Sequence, residues 1–284
     1  MRIGIMVDSL RLPVRQGIRR ARELGAAGIQ VYAVDGEMSP EALGPKDRRE
    51  LADLITSEGL VLAAICGDLG GHGFGREADN PPRIERSKRI MDLARELGTD
   101  VVTTHVGVIP ADERDPRYGV LQEACARLGE YGDSVGACFA IETGPEPAAR
   151  LARFIRSLPC RGVRVNFDPA NLAMVIGEDA AEAVRAVAGL IVHTHAKDGL
   201  MLKRCDPEEL YRTFAEGGML RVDDYIREVP LGEGAVDFPR YLAALRAVGY
   251  DGFLTIEREV GERPDEDIRG AIDTLQRLLK RSAS

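Results

Sequence analysis

The amino-acid sequence predicts a (β/α)8 barrel, and three observations carry that expectation. Strand and helix patterns alternate over all 284 residues without a linker or low-complexity block. The strand candidates are short continuous apolar runs, the pattern of parallel strands covered on both faces. Several of those runs end in a carboxylate or an imidazole, at the strand ends where such barrels carry their chemistry. An open doubly wound sheet is the competing architecture. It needs a glycine-rich phosphate loop after its first strand, and Val7-Asp8-Ser9-Leu10 is not one.

The first strand runs from Ile3 to Val7, and a helix from Pro13 to Leu24 stops at Gly25. A second strand, Ile29 to Val34, ends at Asp35. Ser39-Pro40-Glu41 reads as a helix start, an N-cap serine with proline at the first helical position, and that helix extends to about Glu58. The third strand, Leu60 to Cys66, opens into Gly67-Asp68-Leu69-Gly70-Gly71-His72-Gly73. Pro81 to Leu97 is an amphipathic helix with Ile84, Ile90, Met91, Leu93, Ala94 and Leu97 on one face. Val101 to Thr104 is the fourth strand and delivers His105. A helix near Val120 to Tyr131 precedes the fifth strand, Cys138 to Ile141. Helices near Pro147 to Ser157 and Asp179 to Val187 separate strands five, six and seven.

After strand seven the rhythm breaks. A long loop insertion, about 199–230, interrupts what otherwise reads as one barrel domain over residues 1–284. Loops beyond about 12–15 residues in compact domains are usually lids or partner contacts. Leu210, Tyr211, Phe214, Met219, Leu220 and Tyr225 give this one more apolar surface than a solvated loop needs. It is expected to cover the active site or to bury itself in the contact of a homo-oligomer, a dimer or a tetramer. Helix Phe238 to Val248, an eighth strand at Phe253 to Ile256 and a last helix from Asp265 to Leu279 complete the pattern.

Composition narrows the function classes. The apolar share of 44% and charged share of 30% are those of a globular protein. A net charge of −8 opposes binding to a phosphodiester backbone, so no nucleic-acid partner is expected. The five cysteines (Cys66, Cys125, Cys138, Cys160, Cys205) form no CxxC pair and are odd in number, a poor disulfide framework. They read as reduced and mostly buried. Met1 leads straight into a strand, and nothing approaches 18 consecutive apolar residues, so no membrane association and a cytoplasmic location are expected.

Four strand ends hold the candidate chemistry: Ala140-Ile141-Glu142-Thr143, Asn166-Phe167-Asp168-Pro169, His193-Thr194-His195-Ala196-Lys197-Asp198 and Leu254-Thr255-Ile256-Glu257. A carboxylate at a strand end also serves as a helix N-cap or an ion-pair partner, so any one of them alone says little. Three carboxylates converging without a cation would repel one another. Together with one imidazole they make a mostly oxygen site suited to Mn²⁺, Mg²⁺ or Co²⁺. His193 and His195 lie on the same side of their strand, and spacing does not choose between them.

These motifs, with Asp168-Pro169-Ala170-Asn171, Pro230-Leu231-Gly232-Glu233-Gly234 and Gly249-Tyr250-Asp251-Gly252-Phe253, resemble the sugar phosphate isomerase/epimerase family of the xylose isomerase-like TIM-barrel superfamily. The resemblance spans nearly the whole chain and is sharpest from Glu142 onward. It implies four ligands to one divalent metal, Glu142, Asp168, His195 and Glu257, with Mn²⁺ first and Mg²⁺, Co²⁺ or Zn²⁺ as alternatives. It implies proton transfer by Glu142 and Glu257, and it leaves His193 as a deeper residue that packs or supports the ligands from behind. The family often places a substrate-binding histidine three residues after the ligand aspartate, and here Asn171 stands there. The arginine that ketose 3-epimerases carry six residues after the ligand histidine is replaced by Met201, with Lys203 or Arg204 as substitutes nearby. His72, His105 and Lys197 lie on the mouth side and are further substrate-contact candidates. Each also has a purely local alternative, and for Lys197 that is pairing with Asp198.

The expected activity is a divalent-metal-dependent isomerase or epimerase of a small sugar or keto-sugar, phosphorylated or not. Glutamates would move protons through a metal-stabilised enediolate. The alternative is a metal-dependent lyase or dehydratase on an inosose or a 3-keto-glycoside, which shares the first proton abstraction. Two remoter readings are an abasic-site endonuclease and a non-enzymatic sugar-binding subunit. The endonuclease needs more histidines than His72, His105, His193 and His195 and a less acidic chain.

Overall fold

The computed structural model describes residues 1–217 and 220–281, with side chains for all but 214–216. Met219 and the Phe214 side chain therefore lie outside the described residues. Eight parallel strands close into a barrel: β1 (Arg2–Met6), β2 (Gly28–Tyr32), β3 (Val61–Cys66), β4 (Val101–Thr104), β5 (Cys138–Glu142), β6 (Val163–Phe167), β7 (Ile191–Ala196) and, last in the chain, β10 (Phe253–Ile256). Neighbours follow sequence order from β1 to β7, and β10 closes the ring between β7 and β1. Closure leaves no barrel strand with an unpaired edge. Gly28 lies where β2 passes under Phe253. A Cβ there would run into the Phe253 ring and stand 2.8 Å from the Val61 carbonyl, so only glycine fits.

Helices α1 (Val14–Leu24), α2 (Pro45–Ser57), α3 (Asn80–Leu97), α4 (Pro116–Val135) and α5 (Ala148–Arg156) follow the first five strands. Beyond β6 come the single turn α6 (Pro169–Asn171), a π-helical turn Leu172–Ile176 and α7 (Ala180–Ala186). Helices α9 (Phe238–Ala247) and α10 (Pro264–Arg281) flank β10. All six apolar residues expected on the inner face of α3 are buried. Phe167 of β6 stacks on Tyr241 of α9 with centroids 5.5 Å apart, one of the contacts that fasten helix to sheet.

The expected helix start at Ser39 is displaced. Residues Gly36–Met38 form a 3-10 turn, Ser39 Oγ accepts from Ala42 N at 3.2 Å, and α2 begins six residues later at Pro45. Two prolines compete for the first helical position. Pro45 wins because Asp47, two residues on, accepts from the Gly44 N–H at 3.3 Å and closes that end. Among the cysteines, all free, Cys66 and Cys125 are buried while Cys138, Cys160 and Cys205 are partly exposed. No described helix is long and apolar enough to cross a membrane.

The long segment after β7 is more ordered than a loop. It holds β8 (Asp198–Met201), α8 (Pro207–Glu216) and β9 (Ile226–Val229), and β8 pairs with β9 antiparallel, Asp198 opposite Val229. The base is tied by the Asp198 carboxylate. It accepts from the backbone N–H groups of Gly232, Gly234 and Val236 at 2.9, 3.0 and 3.1 Å.

Candidate metal centre and active site

Each strand end delivers one donor to the barrel mouth. Glu142 is the last residue of β5, Asp168 follows β6, His195 lies in β7 and Glu257 follows β10. Their ligand atoms all lie within 4.8 Å of one another, and all four residues are buried. His195 turns Nδ1 toward the acids, 3.3 Å from Asp168 Oδ2, 3.3 Å from Glu257 Oε2 and 3.7 Å from Glu142 Oε2. Ligand bonds to divalent ions of about 2.0–2.6 Å span that separation. Three carboxylates sharing a buried pocket also demand a compensating charge. The residues fit a divalent cation.

Supporting hydrogen bonds aim the donors. Asp168 Oδ1 accepts from Asn171 N at 2.8 Å, which leaves Oδ2 for the cluster. Thr143 fastens two strand ends: its hydroxyl donates to the Asp168 carbonyl at 2.9 Å and accepts from the Asp168 N–H at 2.8 Å. Glu142 accepts from Asn166 Nδ2 and Asn171 Nδ2, both at 2.9 Å. Asn171 thus holds a glutamate of the cluster as well as lining the cavity above it.

Burial pushes the Glu142 carboxyl up to about 7, with the Glu257 and Asp168 charges adding and His195 and His105 opposing. Burial acts on Glu257 in the same sense, but the His195 and Lys197 charges overcome it and hold that carboxyl below the ordinary range. Lys197 is only 4% exposed. Its ammonium lies 3.1 Å from Glu257, pairs with Glu259 and stands 3.8 Å from Glu228 of β9. The alternative pairing of Lys197 with Asp198 is not formed, because Asp198 is engaged by backbone.

The other expected residues are spread around the mouth. His105 Nδ1 is 2.9 Å from Asp68 Oδ2, while its Nε2 is buried 3.7 Å from Glu142 Oε1 and has no hydrogen-bond partner. Burial alone would lower its pKa, but the Glu142 and Asp68 charges raise it to about 10. His72 sits on the rim with Nε2 2.8 Å from Asp79. His193 lies deeper in the barrel, Nε2 2.8 Å from Gln30 Oε1. Sequence reading passed over Asp68, although it ends a strand and opens a glycine-rich loop as the named candidates do. It also passed over Gln30, a lone amide inside an apolar run.

Above the cluster opens a cavity of about 1140 Å³. The inserted segment walls one side of it with Tyr211, Val222, Ile226 and Glu228. Tyr211 packs on the His105 ring, with centroids 5.8 Å apart. Arg76, Arg117, Arg212 and Arg227 line the cavity, whereas Lys203 and Arg204 do not. Lys203 instead lies over the Tyr225 ring, 5.1 Å from its centroid.

A closed (β/α)8 barrel with three carboxylates and an imidazole at its mouth defines a class, and the chain belongs to it: the xylose isomerase-like TIM barrel family matches residues 18–278. It is similar to the rhizopine catabolism protein MocC of Rhizobium meliloti, 29% identical over 87% of this chain and 75% of that protein. A xylose isomerase domain protein from Planctomyces limnophilus superposes with a TM-score of 0.81 at 27% identity, covering 99% of this chain and 98% of the other. A D-psicose 3-epimerase determined in the presence of D-fructose shares the fold, with a TM-score of 0.73 at 18% identity over 98% and 99% of the two chains. An L-ribulose 3-epimerase, a 3-keto-D-glucoside 4-epimerase and the IOLI protein with a bound zinc atom also share it, at 20%, 18% and 16% identity.

Proposed function

We propose that this chain is a divalent-metal-dependent isomerase or epimerase of a small sugar or keto-sugar. The observation that carries the proposal is the buried cluster of Glu142, Asp168, His195 and Glu257, its donor atoms within 4.8 Å, on the floor of a cavity large enough for a polyhydroxy compound. The sugar epimerases among the similar structures support the same substrate class.

When bound by these four side chains, a divalent ion supplies a Lewis acid beside the substrate carbonyl. The remaining chemistry belongs to the chain. Glu257, kept ionised by Lys197, accepts the proton from the carbon next to the carbonyl. Glu142, with a carboxyl that burial brings near neutrality, carries a proton to the neighbouring carbon or to the opposite face. Asn171 holds Glu142 in place, and His105 offers Nε2 to a substrate hydroxyl. Tyr211 and the inserted segment keep water from the reacting carbons.

One observation favours a second reading, elimination from an inosose or a 3-keto-glycoside. His105 Nε2 is a further proton-bearing atom 3.7 Å from Glu142, placed to serve a departing β-oxygen. Both readings begin with abstraction of the α-proton. The test is incubation of the Mn²⁺-loaded protein with D-psicose, D-fructose and 3-keto-glucosides in deuterated water. Deuterium at the α-carbon of recovered substrate or product is expected, and rearranged sugar or unsaturated product tells the two readings apart. Absence of exchange and of turnover across that panel overturns both.

A further inference from the structure

Beneath the cluster the barrel interior is polar, where bulky branched apolar layers are the rule. Gln30 of β2, Thr103 of β4 and His193 of β7 are all buried there. Gln30 Nε2 donates to Thr103 Oγ1 at 2.9 Å. Gln30 Oε1 lies 2.8 Å from His193 Nε2 and 3.2 Å from His195 Nε2. One amide therefore reaches across the barrel to the ring that also faces the carboxylates.

The chemistry of that ring fixes the roles. A neutral imidazole carries one N–H and one lone pair. His195 turns Nδ1 to the cluster, so a lone pair offered to a cation from Nδ1 requires the proton to sit on Nε2. That proton needs an acceptor. Two groups are within reach: Asn166 Nδ2 at 3.3 Å, itself a donor already serving Glu142, and the Gln30 carbonyl oxygen. Only Gln30 can accept.

We infer that Gln30 is a positioning residue for the metal centre, its side-chain carbonyl holding His195 in the Nε2–H tautomer and so handing Nδ1 to the cation. The inference rests on the metal-dependent reading above. His193 places a second N–H on the same oxygen and opposes rotation of the amide. With the amide reversed, its NH₂ would face both ring nitrogens. Each imidazole would then carry its proton on Nδ1, and His195 would present an N–H to the carboxylates instead of a lone pair. Partners that orient a metal-binding histidine typically change metal affinity 10–100-fold when removed.

The test measures metal rather than turnover. Mn²⁺ titrations are run on the wild type, on Q30M, which keeps the length but loses the acceptor, and on Q30E, which keeps an acceptor. Binding about 10–100-fold weaker is expected for Q30M, with Q30E close to wild type. In protein labelled with nitrogen-15 histidine and loaded with cadmium-113, metal coupling is expected at His195 Nδ1, with the proton on Nε2. Wild-type affinity in Q30M, or coupling through Nε2, overturns the inference. Should Q30M fail to fold, the wild-type spectrum decides alone by the same criterion. A wild-type protein that takes up neither ion defeats the metal-centre reading itself, which separates that failure from failure of the Gln30 role.

Discussion

His105 and Asp68 meet across the ends of neighbouring strands β4 and β3, Nδ1 of one 2.9 Å from Oδ2 of the other. Asp68 is itself held by the Gly70 N–H at 2.8 Å. The pair leaves Nε2 as the one ring atom free to meet a substrate, because Nδ1 is committed. Asp68→Asn keeps the shape and removes the charge that orients the ring. A fall in kcat/KM of about 10²-fold is expected, with metal content unchanged, measured by steady-state kinetics beside elemental analysis. Unchanged kinetics would remove His105 from the substrate's surroundings.

Buried carboxylates that gain a counter-ion only in the folded chain couple metal binding to stability. Chelation is expected to lower the melting temperature. Mn²⁺ at 100 times its Kd should restore about 2.7 kcal/mol. Asp168→Ala removes a donor that is wholly buried and should abolish this response to Mn²⁺. Thermal melts with and without metal check both statements.

Glu142→Gln and Glu257→Gln retain size and one oxygen donor but can neither take up nor give a carboxyl proton. For each, kcat is expected to fall by at least about 10²-fold while KM changes little, since the loss falls on the transition state. Solvent deuterium incorporation should vanish in Glu257→Gln, which has lost the abstracting base, and persist at the α-carbon in Glu142→Gln, where Glu257 still takes the proton. A Glu257→Gln enzyme with its metal and near-full turnover would show that the proton goes elsewhere.

Asp198 anchors the base of the inserted segment through three backbone N–H groups beyond its own neighbour. A side chain at Gly234 would run into that carboxylate, which shows how closely the turn wraps it. Asp198→Ala leaves those donors without a partner and is expected to cost about 3 kcal/mol. Urea unfolding measures the loss. Faster amide exchange at residues 232–236 than in the barrel strands would locate it.

Glu146 is a buried acid that the proposed reaction does not use. Burial pushes its carboxyl up to about 7, against the Ile109 N–H and the Arg150 and His105 charges that favour ionisation. At low pH both folded and unfolded chains hold the proton, and Glu146 has no effect. Between about pH 4.3 and 7 the unfolded chain ionises first, so the folded state binds more protons and stability falls as pH rises. Above 7 the loss is constant, on the order of 1–3 kcal/mol. Glu146→Gln should flatten that slope and stabilise the protein at pH 8, as urea melts at pH 5 and pH 8 would show.

The barrel strands and their helices were readable because each strand must be apolar on both faces and each helix on one, and these periods survive in the residues themselves. The clustering of Glu142, Asp168, His195 and Glu257 was readable for a related reason: strands that run parallel deliver their last residues to one end. Three features were not readable. Ser39 and Pro45 both carry start signals, and the choice depends on Asp47 reaching back to Gly44. The β8–β9 pair consists of two four-residue strands separated by α8, so neither run is long enough to declare a period. Gln30 and Asp68 matter through partners on other strands, 163 and 37 residues away, and no local pattern encodes such distances.

The seam between β1 and β10 sets an order of events during synthesis. Arg2 pairs with Phe253 and Ile5 with Ile256, so the first barrel strand to be made waits for the last. Until β10 emerges, β1 and β7 both present open edges, and long-range pairing of this kind is slow. Glu257 is the next residue after that strand. Three of the four donors therefore exist before the ring is shut, and the fourth arrives only with closure. For the proposed metal centre, uptake of an ion would therefore report a finished barrel, since a nascent or wrongly registered chain has no complete donor set to offer.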